Sequence, residues 1–233
     1  MNHLRLSLAL TLLTPSIVYS GCRPTNQAQV VAINNSVPCS EKSDYFPVDG
    51  ISGTGSLHFG KDQADWEGLY LLHMGEPSLF ACGPQNSELE YRFLWDRSLS
   101  EPIAVRLVIH ADGSGTLFVR VLQHALMLPP PVHGKKEVTL DKWLKVKLDK
   151  RMDLPYEQIQ QVIDLFNRIE FPSENAKSIS ETTDGSDWIF ESRVSGRYRL
   201  VDFRNTPSQA ARKAGLFMVL DLAKVPIPQN AIY

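Results

Sequence analysis

The groups best placed for binding or acid/base chemistry lie between Asp187 and Arg204. The run Asp187-Trp188-Ile189-Phe190-Glu191-Ser192-Arg193-Val194 is followed by Ser195-Gly196 and then by Arg197-Tyr198-Arg199-Leu200-Val201-Asp202-Phe203. If Ser195-Gly196 is a two-residue hairpin turn, Arg193 faces Tyr198, Glu191 faces Leu200 and Ile189 faces Asp202. One face then gathers Glu191, Arg193, Tyr198 and Asp202, with Arg204 just beyond it. The other face gathers Trp188, Phe190, Val201 and Phe203. Each of those four is worth about 1.5–3 kcal/mol when buried, so they should bind the hairpin to a helix and leave the polar face outward or in a cleft. That polar face is the candidate binding site. The alternative is a structural cluster in which Glu191 pairs with Arg193 or Arg204. Glu191 and Asp202 also offer two carboxylates of the kind a glycosidase uses, but without substrate geometry a pair on a hairpin assigns no catalytic residue.

Elsewhere the chemistry-bearing residues form no recognisable set. His58, His73, His110, His124 and His133 lie in no Ser-His-acid or paired-His context, and there is no GxSxG, phosphate-binding loop or dinucleotide fingerprint. Asp112-Gly113-Ser114-Gly115 lacks the repeated acids of a calcium loop and the GK[ST] ending of a phosphate loop, and reads as a hairpin turn. No cofactor and no metal is therefore assigned. Three cysteines, Cys22, Cys39 and Cys82, without CxxC or HxxxH spacing, are a poor zinc set.

The cysteines point instead to export. Arg5 precedes the apolar run Leu6-Ser7-Leu8-Ala9-Leu10-Thr11-Leu12-Leu13, and Pro15 interrupts it before Ser20-Gly21 and Cys22. This is the plan of a signal peptide over residues 1–21, too short to span a bilayer as a helix. Tyr19-Ser20-Gly21-Cys22 resembles a bacterial lipobox, with Tyr19 where Leu is usual. The resemblance implies cleavage and lipidation at Cys22, anchoring the chain to a membrane. Ordinary secretion into the periplasm, with cleavage after Ser20 or Gly21, is the alternative. Lipidating Cys22 removes the odd thiol and leaves Cys39 and Cys82 to pair in an oxidising compartment, closing a loop worth at most roughly 4 kcal/mol. Arg23 rather than Asp after the lipidated cysteine suggests the outer membrane.

These groups must be positioned by a full-sized domain. The 233 residues carry 43% apolar and 21% charged side chains, enough for a core, and a formal charge of −2 leaves no footprint for wrapping a nucleic acid. Residues 22–45 read as a tether, and 46–230 as one domain, with a subdivision near Pro129-Pro130-Pro131 as the alternative. Strands are expected at Glu67–His73, Leu89–Arg97, Ile103–His110 and Thr116–Gln123, the last two forming a hairpin. Lys135–Arg151 reads as one or two strands with a solvated basic face, or a patch for anionic lipid or cell-wall polymer. Residues 153–171 form an amphipathic helix through Ile159, Val162, Ile163, Phe166 and Ile169. A largely buried helix runs from Pro207 to about Lys224 behind the capping box Thr206-Pro207-Ser208-Gln209. Together these predict an α+β fold, an antiparallel sheet packed with two α-helices.

Two stretches carry a resemblance. Tyr91-Arg92-Phe93-Leu94-Trp95-Asp96-Arg97 with Pro102-Ile103-Ala104-Val105-Arg106 is the first, and Asp184-Gly185-Ser186-Asp187-Trp188-Ile189-Phe190-Glu191 running to Tyr198 and Asp202-Phe203-Arg204 is the second. Together they resemble a family of exported, largely uncharacterised bacterial proteins and lipoproteins with YRFLW and DGSxWxxE motifs, over roughly residues 66–223. The family brings no established activity. Where its second motif continues as Arg-Trp-Ser-Pro, this chain has Arg204-Asn205-Thr206-Pro207.

The functional expectation is an envelope lipoprotein acting as a non-catalytic binding or inhibitory, immunity-like module toward a protein or cell-wall partner. A hydrolase of peptidoglycan or glycan and a structural component of an envelope complex are the alternatives.

Overall fold

The computed structural model describes residues 45–46, 61–81, 89–97, 100–123, 144–171, 185–204 and 206–232. Cys22, Cys39, Cys82, the expected signal peptide, the expected tether up to residue 44 and the proline run at 129–131 lie outside the described residues. The fold is α+β.

Its centre is a six-stranded antiparallel sheet of β1 (Leu89–Arg97), β2 (Ser100–Ile109), β3 (Gly115–Leu122), β4 (Val146–Leu154), β5 (Ser186–Val194) and β6 (Arg197–Arg204), in the order β4-β3-β2-β1-β5-β6. β1 to β4 form a meander. After β4 the chain crosses the sheet through a helix (Tyr156–Asn167) to lay β5 beside β1, and a last helix (Gln209–Leu216) follows β6.

Alternation along the strands sorts side chains to two faces. Tyr91, Phe93 and Trp95, with Ile103, Val105, Leu107, Leu117, Val119, Trp188, Phe190 and Val201, form one buried face. The two helices after β4 and β6 cover it with Ile159, Val162, Phe166, Ala211, Ala214 and Val219. Phe93 stacks directly opposite Phe190 at 4.6 Å and Trp95 lies opposite Trp188 at 4.6 Å, so aromatic cross-strand pairs hold β1 to β5. Both expected hairpins are present. Ser195 and Gly196 at φ 51° and 76° make the two-residue turn whose twist matches its strands, and the expected register follows: Arg193 against Tyr198, Glu191 against Leu200, Ile189 against Asp202.

One expected strand is a helix. Lys61–His73, called α1, includes the apolar run read as a strand at Glu67–His73, so three helices pack on the sheet rather than two. A short apolar run is ambiguous between the two states. The buried positions Glu67, Leu71 and Met74 recur at helical spacing, and the charged first member hides that face from a hydropathy reading. α1 packs on the opposite sheet face, where Leu71, Met74 and Leu79 meet Leu94, Ile189 and Leu200.

The remaining helices, α2 (Tyr156–Asn167) and α3 (Gln209–Leu216), begin close to their expected starts. Pro155 is the residue before the first turn of α2. The α3 cap is Ser208, two residues after Thr206, its side chain accepting from the Ala211 N–H. The chain then widens into a π-helical stretch, Phe217–Leu222, before Ala223. β4 lies at one edge of the sheet, and its Lys147 and Arg151, with Lys145 just before it, are exposed as the basic reading of that stretch anticipated. Residues 135–143 of the same reading lie outside the described residues.

Gly215 shows how tightly α3 packs on the sheet. A Cβ there would sit 2.7 Å from Phe93 Cζ and 2.9 Å from Trp188 Cζ3. Helix propensity alone makes Gly215→Ala stabilising by up to about 1 kcal/mol. Overpacking against two aromatic rings reverses the sign. The expected result is a loss of about 1–3 kcal/mol in denaturant unfolding, against a gain if α3 stood off the sheet.

Candidate functional site

The second sheet face is built from charges. Register places Leu200, Glu191, Arg92, Arg106, Phe118 and Arg151 in one row across all six strands. A neighbouring row holds Tyr198, Arg193, Glu90, Val108, Thr116 and Asp153. Arg92 stands directly opposite Glu191 on one side and Arg106 on the other, so an attractive and a repulsive pair share one side chain.

The attractive pair is a bidentate fork. Arg92 Nε donates to Glu191 Oε2 at 2.6 Å and Nη2 to Oε1 at 2.8 Å, and neither side chain is exposed to solvent. The Tyr198 hydroxyl adds a third donor to Glu191 Oε1 at 2.9 Å. Burial and the adjacent Glu191 carboxylate hold that hydroxyl protonated, far above the usual tyrosine range. Burial opposes the Arg92 charge, yet Glu191, with Glu76 and Tyr198, more than compensates and raises its pKa.

A segment from outside the sheet resolves the repulsive pair. α1 ends in a Schellman motif, with Glu76 N–H donating to Leu71 O and Gly75 N–H to Leu72 O, each at 2.9 Å. Gly75 takes the left-handed conformation this motif requires, at φ 66°. The turn drops Glu76 onto the sheet. Its carboxylate accepts from Arg106 Nε at 2.6 Å and from Arg120 Nη1, and lies 3.8 Å from Arg92 Nη1. Arg106 also reaches Glu90 Oε1 at 3.0 Å. The arginines tie down the backbone that follows: Arg92 donates to Pro77 O at 2.6 Å, and Arg193 to Leu79 O at 2.7 Å and Phe80 O at 3.2 Å. Tyr45 closes the strap by donating to Glu76 O at 2.9 Å.

The polar face expected outward or in a cleft lies beneath the strap. Glu191 is fully buried and Tyr198 nearly so, and Arg193 is half-buried with its guanidinium bound to the strap. Glu191 does pair with an arginine, Arg92 of β1, while Arg193 turns to the strap. Asp202 shares the face but lies toward the other end of the hairpin, half-buried, and Arg204 ends β6 opposite Asp187 in register. The arrangement can anchor the strap. It exposes no carboxylate pair to a substrate there. Arg92 and Arg106 alternate between apolar neighbours in the sequence, a legible sign of a charged sheet face, whereas Glu76 was reachable only by knowing that α1 is a helix.

No family model, curated protein or solved structure matches the chain.

At the other end of β1 lies a second charged cluster. Asp96 stands directly opposite Asp187, and Glu67 of α1 brings a third carboxylate, the three offering oxygens within 4.8 Å of one another. Glu67 is 2% exposed and its Oε2 has no hydrogen-bond partner among the described residues. Burial first, then Asp96, Asp187 and Asp202, push Glu67 well above the ordinary carboxylate range. Burial and Asp187 raise Asp96 to about 6, with Glu67 and Arg97 working against the shift. The Tyr70 hydroxyl, three residues along α1 from Glu67, is raised in turn by burial, Asp96 and Glu67.

These raised values fix the sign of a pH effect. A carboxyl whose folded pKa lies above its unfolded value binds a proton in the fold that the unfolded chain has released, so stability falls as pH rises between the two values. For Asp96 the window runs from the ordinary range to about 6, and for Glu67 it extends upward from its own unfolded value. Glu67→Gln keeps a donor toward Asp96 without a charge. In metal-free buffer the variant is expected to exceed the parent in stability at pH 8 by on the order of 1–3 kcal/mol, the gap closing toward pH 5 in urea titrations. Equal stabilities at both pH values would contradict the buried acid cluster.

Proposed function

We propose that the chain is an exported envelope protein, lipid-anchored at Cys22, that works as a non-catalytic binding or inhibitory module toward a protein partner. One observation carries the non-catalytic part. Glu191 and Tyr198, the groups an acid/base reading needs most, are enclosed beneath the strap with their polar atoms committed to Arg92 and to each other.

The surface proposed for contact lies farther along the same sheet face, on β3 and β4. Phe118 is half-buried, with the guanidinium carbons of Arg106, Arg151 and Arg120 at 4.5, 5.6 and 6.0 Å from its ring centre. Arg106 and Arg120 are held by Glu76, so their planes are fixed before any partner arrives. Arg151 is exposed, and farther along the same edge lie exposed Lys147, paired with Glu101 at 2.6 Å, and Lys145 just before β4. Aromatic and arginine side chains on a rigid support are what protein interfaces concentrate, and their basic character suits an acidic partner surface.

Four measurements test the reading. Mass spectrometry of the mature protein is expected to find Cys22 at the N-terminus with lipid attached, and an unlipidated N-terminus would overturn the anchor. A photo-crosslinking residue placed at Arg151 is expected to join the chain to one envelope protein, while the same residue at Glu157 on α2 does not. Arg151→Glu should weaken that complex about tenfold or more with an unchanged melt. Release of peptidoglycan or glycan fragments by the purified chain, abolished in Glu191→Gln, would replace this function with hydrolysis.

A further inference from the structure

We propose that Arg151 is the carboxylate receptor of the basic surface on β3 and β4, taking one Asp or Glu side chain of the partner in a bidentate fork. The assignment rests on the reading of that surface as a docking site for an acidic protein.

The sheet register sets up the receptor. Phe118 stands directly opposite Arg106 of β2 on one side and Arg151 of β4 on the other. Their guanidinium carbons lie 4.5 and 5.6 Å from its ring centre, so one aromatic ring separates two cations and attracts both. The two arginines then differ in where their donors go. Arg106 is 7% exposed and commits Nε to Glu76 at 2.6 Å and Nη1 to Glu90 at 3.0 Å. It braces the ring from inside. Arg151 rests on the same ring from the exposed edge strand.

The neighbouring acids leave Arg151 to an outside partner. Asp149 and Asp153 flank it on the same face of β4, two residues away on either side. Both are engaged with β3: Asp149 Oδ1 lies 3.4 Å from Arg120 Nε, and Asp153 accepts from the Thr116 hydroxyl at 3.2 Å. Glu76 is taken by Arg106 and Arg120. Among the described residues, no hydrogen bond or ion pair occupies the Arg151 guanidinium.

The chemistry of the fork selects the guest. A guanidinium carries five N–H donors in one plane, and two parallel donors match the two oxygens of a carboxylate. Stacking on Phe118 restrains that plane beforehand, which reduces the ordering cost of binding. The planar oxyanions of an acidic protein surface are its Asp and Glu carboxylates. A lysine at this position would keep the charge but lose both the fork and the stacking.

The test follows the NMR signal of the Arg151 Nε–H in the full chain, assigned by its loss in Arg151→Lys. The probe is acetylated triglutamate amide, which should shift that signal and saturate on the order of 10 mM. Phe118→Leu, with an unchanged melt, should weaken the response about threefold or more. Inorganic phosphate at equal concentration should act no more strongly. No shift up to about 50 mM, an undiminished response in Phe118→Leu, or a stronger response to phosphate would each overturn the receptor. In the complex identified by crosslinking at this position, Arg151→Lys should weaken binding about fivefold or more. Parent affinity in Arg151→Lys alongside a loss in Arg151→Glu would overturn the fork and leave the docking surface standing. Parent affinity in both would overturn the docking surface as well.

Discussion

The Arg92–Glu191 ion pair is the contact on which the arrangement of the second sheet face depends. β1 and β5 are both interior strands of the sheet, covered by α2 and α3 on one side and by α1 with its strap on the other, so a charge on either strand meets protein in both directions. An isolated ion there would carry a desolvation cost of several kcal/mol. Opposed in register, Arg92 and Glu191 compensate each other through two short bonds, and the remaining donors of Arg92 and Tyr198 complete the set. Fixing Arg92 in that fork aims its Nη1 at Pro77 and locates the strap.

The same face contains two like-charge pairs, met by opposite means. Arg92 and Arg106 are held together by Glu76, which also receives Arg120, so one carboxylate from a helix terminus organises three guanidinium groups. Asp96 and Asp187 receive Glu67 instead, a third carboxylate, and Arg97 acts against the raised Asp96 pKa. Both solutions come from α1, one from its body and one from its C-terminal turn. A packing element for this face is thereby also the element that sets its electrostatics.

Much of the fold was legible because its signals are local. Ser195-Gly196 and Asp112-Gly113 specify turns, β1 carries alternating residues from Leu89 to Arg97, and the face of α2 repeats at three and four residues. The hairpin register followed from the turn, and with it the sharing of a face by Glu191, Arg193, Tyr198 and Asp202. What escaped is non-local. The partner of Glu191 lies on β1, and the pairing of β1 with β5 is set by the long crossover through α2 and by aromatic packing on the opposite face. α1 escaped for a different reason: its buried stripe begins with Glu67, and a charged residue in a buried stripe defeats any reading that equates burial with apolarity.

A double-mutant cycle on Arg92 and Glu191 measures most directly whether this pair fixes the sheet face and strap. Arg92→Met and Glu191→Leu, each alone, leave one charge buried without its partner and should lose about 3–5 kcal/mol in equilibrium unfolding. The double variant should recover much of that loss, because two apolar side chains of similar length leave no buried charge at that position. Additive losses in the double variant would show that the two residues do not act on each other, and would contradict the account.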